Sequence, residues 1–256
     1  MKIRMLVTDL DNTLLRSDKT ISVYTASMFQ RCREKGMKIV FATGRPERTA
    51  ADFAGIIQPD AVISNNGAGA SVNGQMILHK DVPPAAVTGI VEQLLAAEGV
   101  KLSLDYGSHS LTNCDDHAGW GNWNAIFTDF AEYGTKGVPK ISIEAMDISL
   151  LAGVDFEALG CHVYSNQGEK WYMVQEKTAT KMSAVEAVAA HFGIALSDVA
   201  AFGDDQNDIE MLRACGTGVA VANAIDEAKA AADFVCGTND NDGPARWIGE
   251  NLLQQL

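Results

Sequence analysis

The chain has 256 residues, 47% of them hydrophobic and 21% charged, with a formal net charge of -13 at pH 7. This is the composition of a globular protein with ample apolar material for a core. The acidic balance argues against a nucleic-acid partner, whose phosphates are bound by basic patches, and against an anionic membrane surface. A phosphorylated metabolite stays compatible with it where local cations or a metal offset the repulsion. The five cysteines, Cys32, Cys114, Cys161, Cys215 and Cys236, include no CxxC pair. They read as free, buried thiols, neither a disulfide framework nor a zinc pattern. The first apolar run is broken by Asp9, too early for a signal peptide or membrane span, so a cytoplasmic protein is expected.

Met5-Leu6-Val7 reads as a short buried strand that runs into two carboxylates, Asp9 and Asp11, and a polar turn. Paired Asp residues at the carboxyl end of a buried strand are costly unless something neutralises them, and in open α/β sheets ligands bind at that end. Taken alone, the stretch fits two readings: a site for a hard cation, or a strand that exits into a solvated turn. A polar excursion follows over Leu14 to Ile21. Ser22 then fits an N-cap, and Val23, Ala26, Met28, Phe29 and Cys32 form a helical stripe ended by Gly36. Met37 to Ala42 is a second strand, stopping at Thr43-Gly44-Arg45-Pro46. Pro46 suits a first helical position, with the helix running towards Gly55. Asp60 to Ser64 is a third strand, stopping at Asn65-Asn66-Gly67. The alternation predicts a doubly wound parallel sheet with its polar strand ends on one edge.

The rhythm then changes. Ala70 to Lys80, around Asn73-Gly74, predicts a hairpin, and Pro83-Pro84 marks a break. Val87 to Ala97 is a helical stripe. Short strands at Lys101–Leu104, Lys140–Ile143, Cys161–Tyr164 and Trp171–Val174 alternate with helical stretches near Trp120–Phe130 and Ile148–Leu159, and Asn166 to Glu169 reads as a hairpin turn. This α+β pattern predicts an inserted domain over 82–175, leaving 1–81 with 176–256 as the Rossmann-like core. The first rhythm resumes with a helix over Thr180–Phe192 ended by Gly193. A strand at Val199–Gly203 runs into Asp204-Asp205-Gln206-Asn207-Asp208, and a helix with Ile209, Met211 and Leu212 follows. Then come a strand at Gly218–Ala222, a helix over Ile225–Ala232, a short strand at Phe234-Val235 and a helix over Ala245–Leu253.

Folded this way, one sheet edge carries Asp9, Asp11, Thr43, Asn65, Asn66, Asp204, Asn207 and Asp208, with Lys181 opening a nearby helix. Carboxylates converging there need a cation. Oxygen-only donors favour Mg²⁺ over zinc or copper, and Mg²⁺ with carboxylates and a phosphate oxygen is a phosphoryl-transfer arrangement. Lys181 in a first helical turn opposes the helix dipole, which a nearby anion would justify. Thr43, with Gly44 and the amides entering the next helix, offers a phosphate cradle.

These residues resemble the haloacid dehalogenase-like (HAD) hydrolases, in particular the Cof-type phosphatases with a large inserted cap. The resemblance rests on Asp9-Leu10-Asp11-Asn12-Thr13, Thr43-Gly44-Arg45, Lys181 and Gly203 to Asp208 in that order. It also rests on Asn65-Asn66-Gly67-Ala68, Gly218 to Ala224 and Asn241 to Ala245. It covers both flanks by residue and the insert by placement and length. The resemblance implies that Asp9 is the nucleophile, forming an aspartyl-phosphate, and that Asp11 protonates the leaving alcohol and then deprotonates water. It implies that Leu10, Thr43, Gly44, Lys181 and Asn207 hold the phosphoryl oxygens and that Arg45 and Asn65 meet the substrate. Asp9, the Asp11 carbonyl and Asp204 would bind Mg²⁺, with Asp208 in support. The chain departs from the family pattern at Asn12 and at Met182, both usually Gly. The second bears on the backbone beside Lys181. Thr178 and Thr180 receive no role.

The activity expected is a Mg²⁺-dependent phosphatase of small phosphorylated metabolites, sugar phosphates foremost, working as a monomer or homodimer. A phosphotransferase or mutase of the phosphomannomutase kind would use the same chemistry. A receiver that holds its phospho-Asp and a non-catalytic phosphometabolite binder are the further rivals. Other signals weigh less. Gly67-Ala68-Gly69 lacks the spacing of a dinucleotide fingerprint, and Asp115-Asp116-His117 reads as a solvated loop before a second metal site. His79, His109, His162 and His191 share no ligand spacing. Trp120, Trp123 and Phe127 read as insert core, with a substrate platform as the other option.

Overall fold

A computed structural model describes residues 2–114, 124–134, 136–165 and 170–253. The chain opens with β1 (Met5–Thr8), a turn at Leu10–Leu14, and α1 (Val23–Glu34). Ser22 caps α1 by accepting from the Thr25 N–H, and Gly36, at φ 80°, lets the chain leave it. Next come β2 (Lys38–Ala42), α2 (Glu47–Ile57) and β3 (Ala61–Ser64), then β4 (Gly69–Val72) and β5 (Gln75–His79). Pro46 is the N-cap of α2, one position before its predicted place. Asn73 and Gly74 both have positive φ, 49° and 77°, which is what a two-residue hairpin turn demands.

A second unit, His79–Ala179, packs on its own core. It holds α3 (Pro84–Leu95) and strands β6 (Lys101–Asp105), β7 (Ser110–Thr112), β8 (Ala125–Phe127), β9 (Lys140–Glu144), β10 (Cys161–Ser165) and β11 (Trp171–Glu176). The sheet order is β10-β11-β9-β6-β7-β8, antiparallel except for β7 with β8. Ala86, Val87, Ile90, Val91 and Leu94 of α3 cluster with Leu102, Leu104, Ile141, Ile143 and Val174.

Two helical expectations for this unit do not hold. Ala125–Phe127 is a strand paired with β7, and Phe127 is 59% exposed. Ile148–Leu151 makes a single tight 3-10 turn, not a helix reaching Leu159. There the Asp147 and Asp155 carboxylates accept from the Ser149 and Ala158 amides, local bonds that compete with helix propagation. Asp115-Asp116-His117, Trp120, Trp123 and the Asn166–Glu169 turn lie outside the described residues.

The chain returns through α4 (Lys181–Phe192), β12 (Val199–Gly203), α5 (Ile209–Ala214), β13 (Thr217–Ala220), α6 (Asp226–Ala231), β14 (Phe234–Val235) and α7 (Gly243–Asn251). Met1–Leu78 and Thr180–Leu256 form one compact unit. Its sheet runs β14-β13-β12-β1-β2-β3-β4-β5, parallel from β14 to β3, with β4 antiparallel to β3. β1 lies at the centre with β2 and β12 on either side. Met5, Leu6 and Val7 are fully buried, because the strand has cover on both faces. Leu6 joins Phe29, Ile57, Phe202 and Ile248 on one side, while Met5 and Val7 join Val185, Val188 and Met211 on the other. Each such side chain contributes roughly 1.5–3 kcal/mol by leaving water. The crossovers diverge from β1, one way to β2 and the other from β12 to β13, so a topological switch point falls between β1 and β12. Crevices at such points receive ligands.

All five cysteines are free. Burial pushes the thiols of Cys32, Cys215 and Cys236 up to about 12 and that of Cys161 up to about 11, which leaves them protonated and unreactive. Among the described residues no helix is long and apolar enough to cross a membrane.

Candidate active site

The site grows from the end of β1. The Asp9 amide donates to the Phe202 carbonyl at 3.0 Å, extending the β1–β12 pairing by one residue. This carries the Asp9 carboxylate to the switch point, where the residue is 5% exposed. The chain then turns through Leu10–Leu14, closed by the Leu15 amide on the Leu10 carbonyl at 2.8 Å. Asn12 stands at φ 59°, ψ 1° within that turn. This left-handed conformation explains the family's glycine and why Asn, the best tolerated substitute, can replace it.

Lys181 is the first residue of α4. Thr180 caps the helix by accepting from Ser183, whose hydroxyl reciprocates, so the residue without a role in the sequence supplies the cap. Met182 is helical and 8% exposed, packed among Val185, Ala201 and Met211. The departure from glycine therefore fills the core and leaves the backbone beside Lys181 regular. The Lys181 ammonium donates to Asp9 Oδ1 and Asp208 Oδ1, both at 2.7 Å. Asp208 Oδ2 accepts from the Asp204 and Asp205 amides at 2.9 and 3.2 Å. Gly203 makes this possible, because a Cβ there would lie 2.5 Å from Asp208 Cβ. Asp204 Oδ1 accepts from the Thr13 hydroxyl at 2.7 Å. Asp9, Asp204 and Asp208 thus bring one oxygen each within 4.8 Å of one another, all buried.

The electrostatics follow from burial. Two of the three clustered carboxylates, Asp9 and Asp208, share one buried ammonium. Burial pushes Asp9 well above the usual carboxylate range against the pull of Lys181, and Asp208, Asp204 and Asp11 add to the rise. Asp204 is pushed up to about 7 by burial and the Asp208 charge, opposed by Thr13 and Lys181. Burial pulls Lys181 down, but Asp208 and Asp9 outweigh it and hold the ammonium above its ordinary value. With all three carboxylates ionised, two negative charges stay uncompensated. An oxygen-only donor set with that deficit fits a hard divalent cation.

Asp11 lies outside this trio. Its oxygens accept a two-pronged bond from Arg45, Nε to Oδ2 at 2.6 Å and a terminal nitrogen to Oδ1 at 2.7 Å, and a third from Lys19 Nζ at 2.8 Å. Burial raises the Asp11 carboxyl, but the Arg45 and Lys19 bonds outweigh it and the net shift is downward. Arg45, expected to meet the substrate, spends its guanidinium on Asp11. Lys19 escaped the sequence analysis because it sits in the polar excursion with no motif around it.

The phosphate-cradle candidates converge through their loops. Thr43 is 1% exposed; its hydroxyl accepts from the Arg45 amide at 3.1 Å and its carbonyl from the Asn66 amide at 2.9 Å. Asn65 is buried at φ 46°, and its amide donates to the Arg45 carbonyl at 2.9 Å. Asn207 Nδ2 donates to Asn66 Oδ1 at 2.8 Å, tying the third strand's loop to the acidic loop. At Gly67, φ 98°, a Cβ would lie 2.0 Å from the Thr180 carbonyl, so only glycine lets this loop press on the start of α4. Leu10 is fully buried beside Asp9.

The family profile described as haloacid dehalogenase-like hydrolase matches residues 6–137 and 138–248. The chain belongs to the haloacid dehalogenase-like hydrolase family. This hydrolase is 31% identical over 242 residues to the phosphoglycolate phosphatase of Halobacterium salinarum, covering 93% of this chain and 92% of that protein. It is 27% identical over 272 residues to the 5-amino-6-(5-phospho-D-ribitylamino)uracil phosphatase YitU of Bacillus subtilis, covering 96% of each. Among solved structures it is similar to a sugar phosphatase of HAD subclass IIB, with a TM-score of 0.85 and 25% identity over 96% of this chain and 98% of that one. The hydrolase is a phosphoric monoester hydrolase, and these relatives lend the mutase alternative no support.

Proposed function

We propose that this hydrolase removes the phosphoryl group from small phosphorylated metabolites, with sugar phosphates the preferred class, using Mg²⁺ and an aspartyl-phosphate on Asp9. The observation that carries the reading is the buried Lys181 ammonium, 2.7 Å from Asp9 Oδ1, inside a cluster of three carboxylates. Burial makes that much charge costly, and such clusters gather at functional sites. The substrate class rests on the similarity to a HAD subclass IIB sugar phosphatase.

In the proposed reaction an Asp9 oxygen attacks phosphorus, the bond to the leaving oxygen breaks, and Asp11, which takes up a proton once the Arg45 and Lys19 bonds open, gives that oxygen the proton. Asp11 then takes a proton from the water that attacks the aspartyl-phosphate. The P–O bond to Asp9 breaks, inorganic phosphate leaves and the Asp9 carboxylate is restored. Leu10 through its amide, Thr43, Gly44, Asn207 and Lys181 hold the phosphoryl oxygens. Asp9, Asp204 and the Asp11 carbonyl are the proposed Mg²⁺ ligands. The bound ion supplies the positive charge that lets a carboxylate approach an anionic ester. Asp208 acts through its neighbours: one oxygen fixes Lys181 and the other fixes the Asp204 backbone. Arg45 keeps Asp11 oriented until those bonds open, and Asn65 meets the substrate. Phosphate-monoester hydrolysis needs accelerations up to about 10²¹-fold, and positioning and charge neutralisation are where most of that must come from.

The test is inorganic-phosphate release from a panel of sugar phosphates, phosphoglycolate and other phosphorylated metabolites, with Mg²⁺ and with EDTA. The expected result is Mg²⁺-dependent release, fastest from sugar phosphates and abolished in Asp9→Asn. Wild-type rates in Asp9→Asn would remove the nucleophile assignment. Equal rates in EDTA would remove the metal.

A further inference from the structure

We propose that Asn223 and Asn239 are positioning residues that clamp the turn carrying Asp9 and Asp11 and so set the geometry of both carboxyl groups. The inference rests on the roles given to Asp9 and Asp11 above. Both asparagines belong to segments far along the chain: Asn223 follows β13, and Asn239 opens a tight turn after β14. Asn223 Nδ2 donates to the Asn12 carbonyl at 2.7 Å, while its Oδ1 accepts from the Asn239 amide at 3.0 Å. Asn239, 5% exposed, sends its own Nδ2 to the Leu15 carbonyl at 3.0 Å. Two side-chain amides therefore hold two carbonyls of one short turn.

The turn needs such support. Its closure includes the Leu15-to-Leu10 bond, and Asn12 sits at a left-handed φ of 59°. Asn tolerates this conformation better than other non-glycine residues, but less well than glycine. The residues just beyond are fastened to the same C-terminal segment. Arg16 forks onto Asp242 at 3.2 and 2.8 Å, and the Ser17 amide and hydroxyl each reach Asp240 at 2.8 Å. Those two ties involve carboxylates on donors. The Asn223 position differs: it must donate to a carbonyl and accept from an amide at once, which a carboxamide does and a carboxylate cannot. The carbonyl it holds belongs to the residue after Asp11, so losing the bond frees the backbone that aims the Asp11 carbonyl and carboxyl group. Misplacement of reacting groups by about 1 Å can cost 10²-fold in rate.

The experiment compares Asn223→Asp, Asn223→Ala and Asn239→Ala with wild type by steady-state phosphate release, thermal unfolding, and calorimetric Mg²⁺ titration without substrate. Asn223→Asp keeps the shape and the acceptor for Asn239 but presents a carboxylate to the Asn12 carbonyl. It should lower kcat by about tenfold or more and weaken Mg²⁺ binding by about tenfold. KM should stay within about threefold and the unfolding midpoint within about 4 °C. Asn223 is exposed, so Asn223→Ala removes both of its bonds without leaving a cavity in the core, and Asn239→Ala should show the same split of kcat from KM. Values of kcat and Mg²⁺ affinity within about twofold of wild type in all three variants would overturn the proposal. So would a rate loss that merely tracks a lowered unfolding midpoint, because the pair would then only staple the C-terminal segment. Asp9→Asn is assayed alongside: if it turned over at the wild-type rate, the underlying reading would fail on its own evidence, independently of the asparagine variants.

Discussion

The Lys181 ammonium donates to Asp9 Oδ1 at 2.7 Å, with Lys181 1% and Asp9 5% exposed. A buried ion pair is tolerated only when further bonds satisfy both partners, and here Asp208 Oδ1, also at 2.7 Å, gives the ammonium a second acceptor. Lys181→Ala strands Asp9 and Asp208 as buried carboxylates. We expect kcat to fall by about 10²–10³-fold and unfolding free energy in EDTA to fall by roughly 3–5 kcal/mol. Steady-state phosphate release and urea unfolding measure the two. Turnover near wild type would take Lys181 out of the site.

Metal binding should be linked to pH in a stated direction. Without a divalent ion, burial holds the Asp204 carboxyl up to about 7, and Asp9 is raised as well. A carboxyl raised above its unfolded value of about 3.9 contributes stability that is full below that value and lost as pH rises through the folded one. The protein in EDTA should therefore lose stability progressively from about pH 4 to about pH 7. Mg²⁺ requires the ionised forms and displaces the protons. The rise in Tm on adding Mg²⁺ should be larger at about pH 8 than at about pH 6. A rise that shrinks with pH would contradict the cluster's electrostatics.

Asp11, in the Arg45 fork, is assigned the proton transfers. Asp11→Asn should lower turnover of sugar phosphates by about 10²–10⁴-fold. The loss should be much smaller for p-nitrophenyl phosphate, whose leaving group departs without a proton. Equal losses on the two substrates would show that Asp11 does not act as the acid.

Asp242 is 8% exposed and accepts from Arg16 and from the Thr25 hydroxyl. Burial pushes its carboxyl up, yet bonds from Arg16 and Ser22, the Arg16 charge and Thr25 carry it below the ordinary value. A depressed folded value contributes stability above the unfolded one, lost as pH falls through the folded one. Asp242→Asn should cost about 1.5 kcal/mol at neutral pH. Its stability curve should converge with that of wild type as pH drops below about 4. Urea midpoints across pH check both parts.

Gly203→Ala places a Cβ 2.5 Å from Asp208 Cβ. Overpacking of this kind costs about 1–3 kcal/mol, and the strain falls on the residue that holds Lys181. We expect reduced Tm together with weaker Mg²⁺ binding by calorimetry. An unaltered Mg²⁺ affinity would show that Asp208 does not transmit the change.

Much was legible in the chain itself, and the reason is periodicity interrupted by polar residues. Met5-Leu6-Val7, Ile39 to Ala42 and Val199 to Phe202 are apolar without alternation because the sheet covers both of their faces. Each stops at the polar residues that form the site, so the strand pattern alone puts Asp9, Thr43 and Asp204 on one edge. The helix ends at Ser22, Gly36, Thr180 and Gly193 follow local capping chemistry. Where the signal failed, it was short or nonlocal. Ala125–Phe127 pairs with a strand its own sequence does not specify, and Asp147 and Asp155 stop a helix that spacing alone suggested.

The sequence by itself therefore determined the alternation of strands and helices, the inventory of carboxylates and the presence of one lysine at a helix start. Those depend on contacts within a few residues. Only the tertiary structure decided which groups share a charge. It paired Lys181 with Asp9 across 172 positions and Asn223 with the Asn12 carbonyl across 211, and it turned Arg45 onto Asp11. Hydrogen bonds and ion pairs act over about 3 Å of space whatever the separation along the chain, and the fold alone brings such partners within that range.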